Sequence, residues 1–112
     1  MLLNFEEIEE KVVPHMRGGE GEMITRMFVN EDTKIMRGRL TPGSTVGLHT
    51  HETDSEMICI LSGKGRVLCD GVYEPLSAGS VHYCPKGHEH SLINDSPEGG
   101  EDLTFFAVVP EQ

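Results

Sequence analysis

The stretch from Gly43 to Gly63 reads G-S-T-V-G-L-H-T-H-E-T-D-S-E-M-I-C-I-L-S-G. His49 and His51 stand two residues apart, and Glu56 opens the apolar run that follows. In a β-strand, residues i and i+2 share one face and lie about 6.6 Å apart along the backbone. The two imidazoles can therefore converge on one ion, and a carboxylate beyond the next turn can supply a third ligand. The stretch predicts most of a metal site.

The size and charge of the chain limit its function classes. At 112 residues it is long enough for one domain with a modest core. The formal net charge of −10 argues against nucleic acid and anionic membranes as partners, because phosphate groups are bound by clusters of Lys and Arg. No apolar run approaches the roughly 18 residues that span a bilayer, and the N-terminus turns acidic at once, unlike a signal peptide. We therefore expect a cytoplasmic protein.

The cysteines predict reduced core residues. Cys59, Cys69 and Cys84 are widely spaced, and each lies in an apolar, strand-like run. Because the sequence contains no CxxC pair, its local spacing argues against a thiolate zinc site.

Short strands dominate the pattern from Met23 onward. Gly and Pro clusters separate nine or ten alternating or apolar runs, which predicts an all-β sandwich or small barrel over residues 23–112. Residues 1–22 carry a weaker signal and are expected to form an N-terminal arm or loop with at most a short helix.

One strand pattern bears on the interior of the barrel. In the run from Lys34 to Leu40, Met36 and Gly38 alternate with Arg37 and Arg39. The uncharged set is expected to face inward and the arginines outward, although an inward arginine could bind an anionic substrate.

Two other runs are apolar on both faces. In Glu56–Leu61 and Leu103–Val109, both faces carry hydrophobic residues, and only Glu56 and Thr104 are polar. Such strands are covered on both sides, so something must pack on the outside of the sheet. A homodimer partner is the simplest cover in so small a chain.

A second informative stretch, from Gly79 to Asn94, reads G-S-V-H-Y-C-P-K-G-H-E-H-S-L-I-N. Together the two stretches resemble the paired signature motifs of the cupin family. The first motif, G-x5-H-x-H-x3-4-E-x6-G, is filled by Gly43, His49, His51, Glu56 and Gly63. The second, G-x5-P-x-G-x2-H-x3-N, is filled by Gly79, Pro85, Gly87, His90 and Asn94. Every fixed position is present, so the resemblance is specific, and it covers the chain from about Met36 to the end.

The resemblance implies an RmlC-like cupin: a double-stranded β-helix, or jelly-roll barrel, that holds one divalent transition metal ion. Any one histidine alone would be read more simply as a hydrogen-bonded core or surface residue. Three imidazoles and a carboxylate suit Fe, Mn, Ni, Co, Cu or Zn and leave up to two positions of an octahedron open. The neighbouring Glu52 and Asp54 are expected to be solvated loop charges. The implied metal ligands are His49, His51, Glu56 and His90.

The substrate pocket is predicted less sharply. Met36 is expected on its inner wall, and Gly47, beside the ligands, leaves room for a bound molecule or marks a bend. Tyr83 could offer its phenol to a ligand or be a core tyrosine. His88 could face the substrate or be a solvated loop histidine. The sequence does not decide which face of its strand His82 occupies.

Three functions compete, because cupins host different activities. The first is a metal-dependent enzyme that acts on a small organic molecule by dioxygenase or isomerase/lyase chemistry, with Glu56 as a conjectural base. The second is a non-catalytic small-molecule or sugar sensor in which the metal is an anchor. The third, a structural subunit with a vestigial site, is disfavoured by the complete ligand set.

Overall fold

The computed structural model describes residues 1–111, which form ten β-strands in two antiparallel sheets. In chain order the strands are β1 (Lys11–Pro14), β2 (Glu22–Val29), β3 (Thr33–Leu40), β4 (His49–Thr50), β5 (Glu56–Ser62), β6 (Lys64–Cys69), β7 (Val72–Ser77), β8 (Val81–Cys84), β9 (Glu89–Ile93) and β10 (Leu103–Pro110). The larger sheet has the order β1-β2-β3-β10-β5-β8, and the smaller has the order β4-β9-β6-β7. Buried side chains from both sheets form one core. The predicted all-β jelly-roll barrel is confirmed.

Strand alternation decides which side chains enter this core. In β10 the buried residues are Leu103, Phe105, Ala107 and Val109, every second position. In β3 the uncharged residues are buried as predicted, and Gly38 lies so close to the Phe105 ring that a Cβ there would sit 2.9 Å from it. The β3 arginines face outward, where they pair with acidic side chains.

The N-terminal segment covers part of the outer surface of the larger sheet. It contains two short 3-10 turns, Phe5–Glu7 and Met16–Gly18, and strand β1, which pairs with β2. The Arg26 guanidinium donates hydrogen bonds to three backbone oxygens around the first turn, at 2.7–3.3 Å. Phe5 packs edge-on against Phe106, with ring centroids 5.9 Å apart. The outer side of β10 is therefore covered by the chain itself, while the domain boundary at residue 22 stays a prediction.

A second part of that outer surface is exposed and apolar. Met57 faces Tyr83 across the β5–β8 pair, and Cys59 faces Val81. Met57, Tyr83 and Val81 are 45%, 53% and 64% exposed. The homodimer predicted to cover this face stays a prediction. Among residues 1–111, no helix is long and apolar enough to cross a membrane.

The two motif stretches meet through strand pairing and turns. His49 pairs with His90 across β4 and β9, which brings the first motif against the second. Gly63 has φ +85° and approaches Asp102 so closely that a Cβ would lie 2.2 Å from its carbonyl oxygen, so only glycine fits there. Asn94 is fully buried, and its side-chain amide donates to the carbonyl oxygens of Leu40 and Glu101 at 2.9 and 3.0 Å. These residues fix the frame around the histidines.

Candidate metal centre

Four donor atoms from three strands and a loop converge inside the barrel. His49 lies on β4, His51 follows it, Glu56 begins β5, and His90 lies on β9. The Nε2 atom of His90 is 2.9 Å from His51 Nε2, 3.2 Å from His49 Nε2 and 3.0 Å from Glu56 Oε1. All four donors lie within 4.8 Å of one another.

Each of the three imidazoles is oriented through its other ring nitrogen. His49 Nδ1–H donates to the Gly47 carbonyl oxygen at 2.7 Å, and His51 Nδ1–H donates to Asp54 Oδ1 at 2.5 Å. His90 Nδ1 lies 2.9 Å from His82 Nε2. Of these three Nδ1 contacts, this one joins two histidines. A neutral imidazole with its proton on Nδ1 has a free lone pair on Nε2, which is the state that binds metal. The Nε2 atoms are thus turned inward together.

The spacing of the donors fits a six-coordinate ion. With metal–donor bonds of about 2.1 Å, neighbouring ligands of an octahedron are about 3.0 Å apart, and those of a tetrahedron about 3.4 Å. Four of the six donor pairs are 2.9–3.2 Å apart, close to the octahedral edge, and the other two pairs lie within 4.8 Å. Four protein donors on such a frame leave two positions for water or a ligand.

Burial and hydrogen bonding set the charge of this cluster. His51, Glu56 and His90 are 6%, 9% and 1% exposed. Burial alone would raise the pKa of Glu56, but hydrogen bonds from His51 and His90 outweigh it and lower that pKa to about 2. The bond to Glu56 raises the pKa of His51, whereas burial lowers the pKa of His49. The carboxylate stays ionised and gives a cation a negative partner.

The cluster lies in a small cavity of about 80 Å³ between the sheets. Its wall is largely apolar, and four of the six methionines of the chain take part in it. Two cationic residues, Arg17 and Lys34, also line the cavity and are exposed to solvent elsewhere on their surface. The remaining lining residues are Met16, Met23, Met27, Met36, Val46, His49, His51, Asp54, Glu56, Ile58, His90, Leu92, Phe105 and Val109.

Comparison with known proteins identifies the family. The family model described as a cupin domain matches residues 36–108, well over half of the chain. The chain belongs to the cupin family.

Individual relatives narrow the comparison. This cupin is 35% identical over 115 residues to a Thermotoga maritima protein named oxalate-binding protein, covering 97% of this chain and 93% of that protein. A crystal structure of a predicted oxalate decarboxylase, also from Thermotoga maritima, superposes with a TM-score of 0.90 at 33% identity and covers all of both chains. An RmlC-like cupin from Shewanella frigidimarina superposes with a TM-score of 0.80 at 15% identity, covering 99% of this chain and 90% of that one, which shows the shared fold.

Of the four residues predicted for the substrate pocket, one lines the cavity and three do not. Met36 lines the cavity. Gly47 packs instead against the backbone of Arg17, where a Cβ would lie 2.1 Å from a carbonyl oxygen. Tyr83 lies on the outer face of β8, because its strand neighbours His82 and Cys84 take the inner positions. His88 is half-exposed in the turn before β9 and bonds Asp70 at 2.5 Å. The last three do not line the cavity of this cupin.

Sequence reasoning missed two residues that support the centre. Asp54, expected to be a solvated loop charge, is bonded to His51. His82 is buried against His90, and burial lowers its pKa. The pairing of His82 with the buried Ile58 follows from strand register, which no local pattern reveals. The i+3 spacing of Asp54 from His51 was the one available signal.

Proposed function

We propose that this cupin binds a small organic dianion of the oxalate class at a divalent transition metal ion held by His49, His51, Glu56 and His90. The observation that carries the metal part is the set of three Nδ1 hydrogen bonds, which turn the Nε2 atoms of three imidazoles toward one buried carboxylate. Such outer partners typically orient metal-binding histidines. The bound ion would supply Lewis acidity and two exchangeable positions for oxygen donors.

The charges of the cavity favour an anionic ligand. A divalent ion and the Glu56 carboxylate leave one net positive charge at the centre, and Arg17 and Lys34 add two more on the cavity lining. A dianion is neutralised by these groups, whereas a cation is repelled. Asp54, which also lines the cavity, contributes one negative charge, so the ion and these four side chains sum to two positive charges, the charge that a dianion balances.

The volume of the cavity favours a small ligand. At about 80 Å³ it is far smaller than the roughly 300–1,000 Å³ of sites for drug-sized molecules. Oxalate presents two adjacent carboxylates that can fill two neighbouring metal positions. The name of the Thermotoga relative, oxalate-binding protein, supports the same ligand class.

Binding is favoured over turnover by the state of the carboxylates. In the proposed centre Glu56, the predicted candidate base, would be a ligand of the bound ion rather than a free carboxylate. Asp54 is bonded to His51. Neither carboxylate of the cavity is thus held ready to take a proton from a ligand. The predicted dioxygenase or isomerase/lyase activity stays a prediction.

Calorimetry on protein loaded with Mn²⁺ tests the proposal. We expect one ion per chain, oxalate binding that requires the ion, and weaker binding of formate. Both the ion and oxalate should be lost in His90→Ala. Lys34→Gln should weaken oxalate binding about tenfold, as expected for a charged hydrogen-bond partner. Lys64→Gln, at the exposed first residue of β6, serves as the matched control.

Two results would contradict the proposal: unchanged metal content in His90→Ala, or equal oxalate affinity in metal-free protein. Carbon-13 NMR of labelled oxalate provides the catalytic arm. An unchanged oxalate signal is expected for a binding protein, and growth of a formate signal would overturn the choice of binding over decarboxylation.

We infer further that the predicted homodimer forms through the exposed face of β5 and β8. Met57 on β5 and Val81 and Tyr83 on the edge strand β8 form an apolar patch on this face. An aqueous surface seldom keeps such a patch without a partner. Sedimentation equilibrium should give a dimer for the native chain and a monomer for Val81→Lys; a native monomer would refute the assignment.

A further inference from the structure

A second group of potential metal ligands lies beside the centre. Cys69 ends β6 in the smaller sheet, whereas His82 and Cys84 lie on β8 in the larger sheet. One donor atom from each lies within 4.8 Å of the other two. Cys84 is fully buried, His82 is 9% exposed, and Cys69 is half-buried. The two sheets bring together two thiols and an imidazole that are far apart in sequence.

We propose that Cys69, His82 and Cys84 form a second, exchangeable metal site that takes a thiophilic divalent cation, Zn²⁺ in particular. Zn²⁺ is bound by Cys sulfur at about 2.3 Å and by His nitrogen at about 2.0–2.1 Å. Tetrahedral coordination places such donors about 3.5–3.8 Å apart, so the donor atoms need to approach one another by at most about 1.3 Å. The absence of a CxxC pair does not oppose the site, because its ligands are supplied by strands of opposite sheets.

Charge balance selects a divalent ion. Metal binding converts both thiols to thiolates and releases two protons to solvent, so Zn²⁺ replaces two protons and the buried site stays neutral. A monovalent ion such as Cu⁺ would leave one uncompensated negative charge in the interior, which is costly. Before metal binds, burial keeps the thiols protonated and raises the pKa of Cys84 to about 12.

The coordination number indicates exchange rather than a structural role. Three protein ligands leave the fourth tetrahedral position for water, which is the arrangement of open zinc sites. Cys69, the half-buried member, gives that position a route to solvent. The ion is therefore expected to bind reversibly to the folded chain.

The second site competes with the first for His82. When His90 binds metal through Nε2, its Nδ1–H needs an acceptor, which is His82 Nε2 at 2.9 Å. If His82 binds Zn²⁺ through Nε2, that acceptor is used. If it binds through Nδ1, Nε2 carries the proton, and two donors face each other. Filling either site thus weakens the other, and thermodynamic linkage makes the effect reciprocal.

Cobalt spectroscopy on the reduced, metal-free full chain tests the site. Thiolate ligation of Co²⁺ gives an intense near-ultraviolet charge-transfer band, whereas a centre of three imidazoles and a carboxylate gives none. We expect the band in the native chain and in Cys59→Ser. In Cys84→Ser and in Cys69→Ser, we expect both the band and one equivalent of bound Co²⁺ to be lost. Cys59 lies on the outer face of β5 and is the matched control. A native chain without the band would overturn the proposal.

A measurement on the native chain covers the case in which Cys84→Ser fails to fold. Zn²⁺ should slow alkylation of Cys69 at least tenfold and leave Cys59 unchanged, as read by mass spectrometry. Equal rates with and without Zn²⁺ would refute the site.

The competition is tested separately with His90→Ala at buffered free Co²⁺. Freed from its partner, His82 should raise the affinity for the band-producing ion about tenfold; an unchanged or lower affinity would refute the coupling. This arm alone rests on the proposed function. If the first centre holds no metal, oxalate binding fails while the thiolate band remains.

Discussion

Replacing His82 with leucine should weaken Mn²⁺ binding at the centre without unfolding the chain. His90 is 1% exposed, and its Nδ1 bonds His82 Nε2 at 2.9 Å. In the metal-free protein, leucine can be tolerated, because the His90 proton can move to Nε2 and bond Glu56 Oε1 at 3.0 Å. In the metal-bound protein Nε2 is occupied, so the proton stays on Nδ1 without a partner.

The magnitude follows from that unpaired donor. A buried donor without a partner costs about 1–3 kcal/mol, which corresponds to about a 5- to 150-fold loss of affinity at about 1.4 kcal/mol per tenfold. Loss of outer partners of metal-binding histidines typically costs about 10–100-fold. The two ranges agree, so we expect a fall of about 10- to 100-fold.

Electron paramagnetic resonance of free Mn²⁺ gives the dissociation constant directly. His82→Gln keeps a carbonyl acceptor and should stay within a few-fold of the native affinity. His88→Ala removes a nearby, half-exposed histidine that contacts Asp70 and should have no effect. Mn²⁺ binding by His82→Leu within twofold of the native chain, or an equal loss in His88→Ala, would contradict this prediction. Urea unfolding of the metal-free variants separates affinity from stability.

Three further outcomes are expected. Mn²⁺ affinity should be constant at high pH and fall as the pH decreases through the pKa of His51, since the proton competes with the metal. Because that pKa is raised, the fall should begin above the ordinary value of 6.5. Calorimetry across pH measures the affinity, and an affinity that stayed flat from pH 8 to 5 would contradict the prediction. Asn94→Ala removes three hydrogen bonds from a fully buried side chain and should lower the free energy of unfolding by about 3 kcal/mol. Urea unfolding measures this loss against the exposed control Asp95→Asn. A loss below about 1 kcal/mol would contradict the prediction. Gly65→Ala would place a Cβ 2.3 Å from a carbonyl oxygen of β9 and should lower the free energy of unfolding by at least about 1–3 kcal/mol in the same assay. An unfolding midpoint equal to that of the native chain would contradict this expectation.

The donor set could be predicted because strand geometry and motif spacing agree on it. Two histidines at i and i+2 on a strand face one way whatever their neighbours are. His49 and His90 then meet because β4 and β9 pair in the register that places them opposite each other. The turns that allow this pairing carry their own sequence signals, such as Gly63, so the arrangement of strands around the donors could be predicted as well.

The supporting residues could not be predicted, because their roles depend on which face of a strand lies inside. In β8, Val81 and Tyr83 share one face and His82 and Cys84 share the other, and either pair is apolar enough to lie inside. The larger sheet turns His82 and Cys84 inward and leaves Tyr83 53% exposed. Cys69 reaches the same place from the other sheet, a proximity that sequence separation conceals.

Strand β1 escaped prediction for a different reason. Its four residues include Pro14, which lacks a backbone N–H and disfavours a central strand. At the edge of a sheet this restriction is weaker, and β1 is the edge strand next to β2. The guanidinium of Arg26 then binds the carbonyl oxygens of Phe5, in the first 3-10 turn, and of Ile8, just after that turn.

The ligand preference of this cupin must come from groups that the family motifs do not specify. The four motif donors would hold an ion in the same way whatever the reaction, so they do not distinguish one cupin activity from another. The chain carries a formal net charge of −10, which repels a dianion at long range. At physiological ionic strength, however, charges beyond about 8 Å are largely screened. The charges that line the cavity therefore decide the outcome, and among them Arg17 and Lys34 are the cations. Substitution of either should alter oxalate affinity, whereas neutralising acidic residues on the distant surface should not.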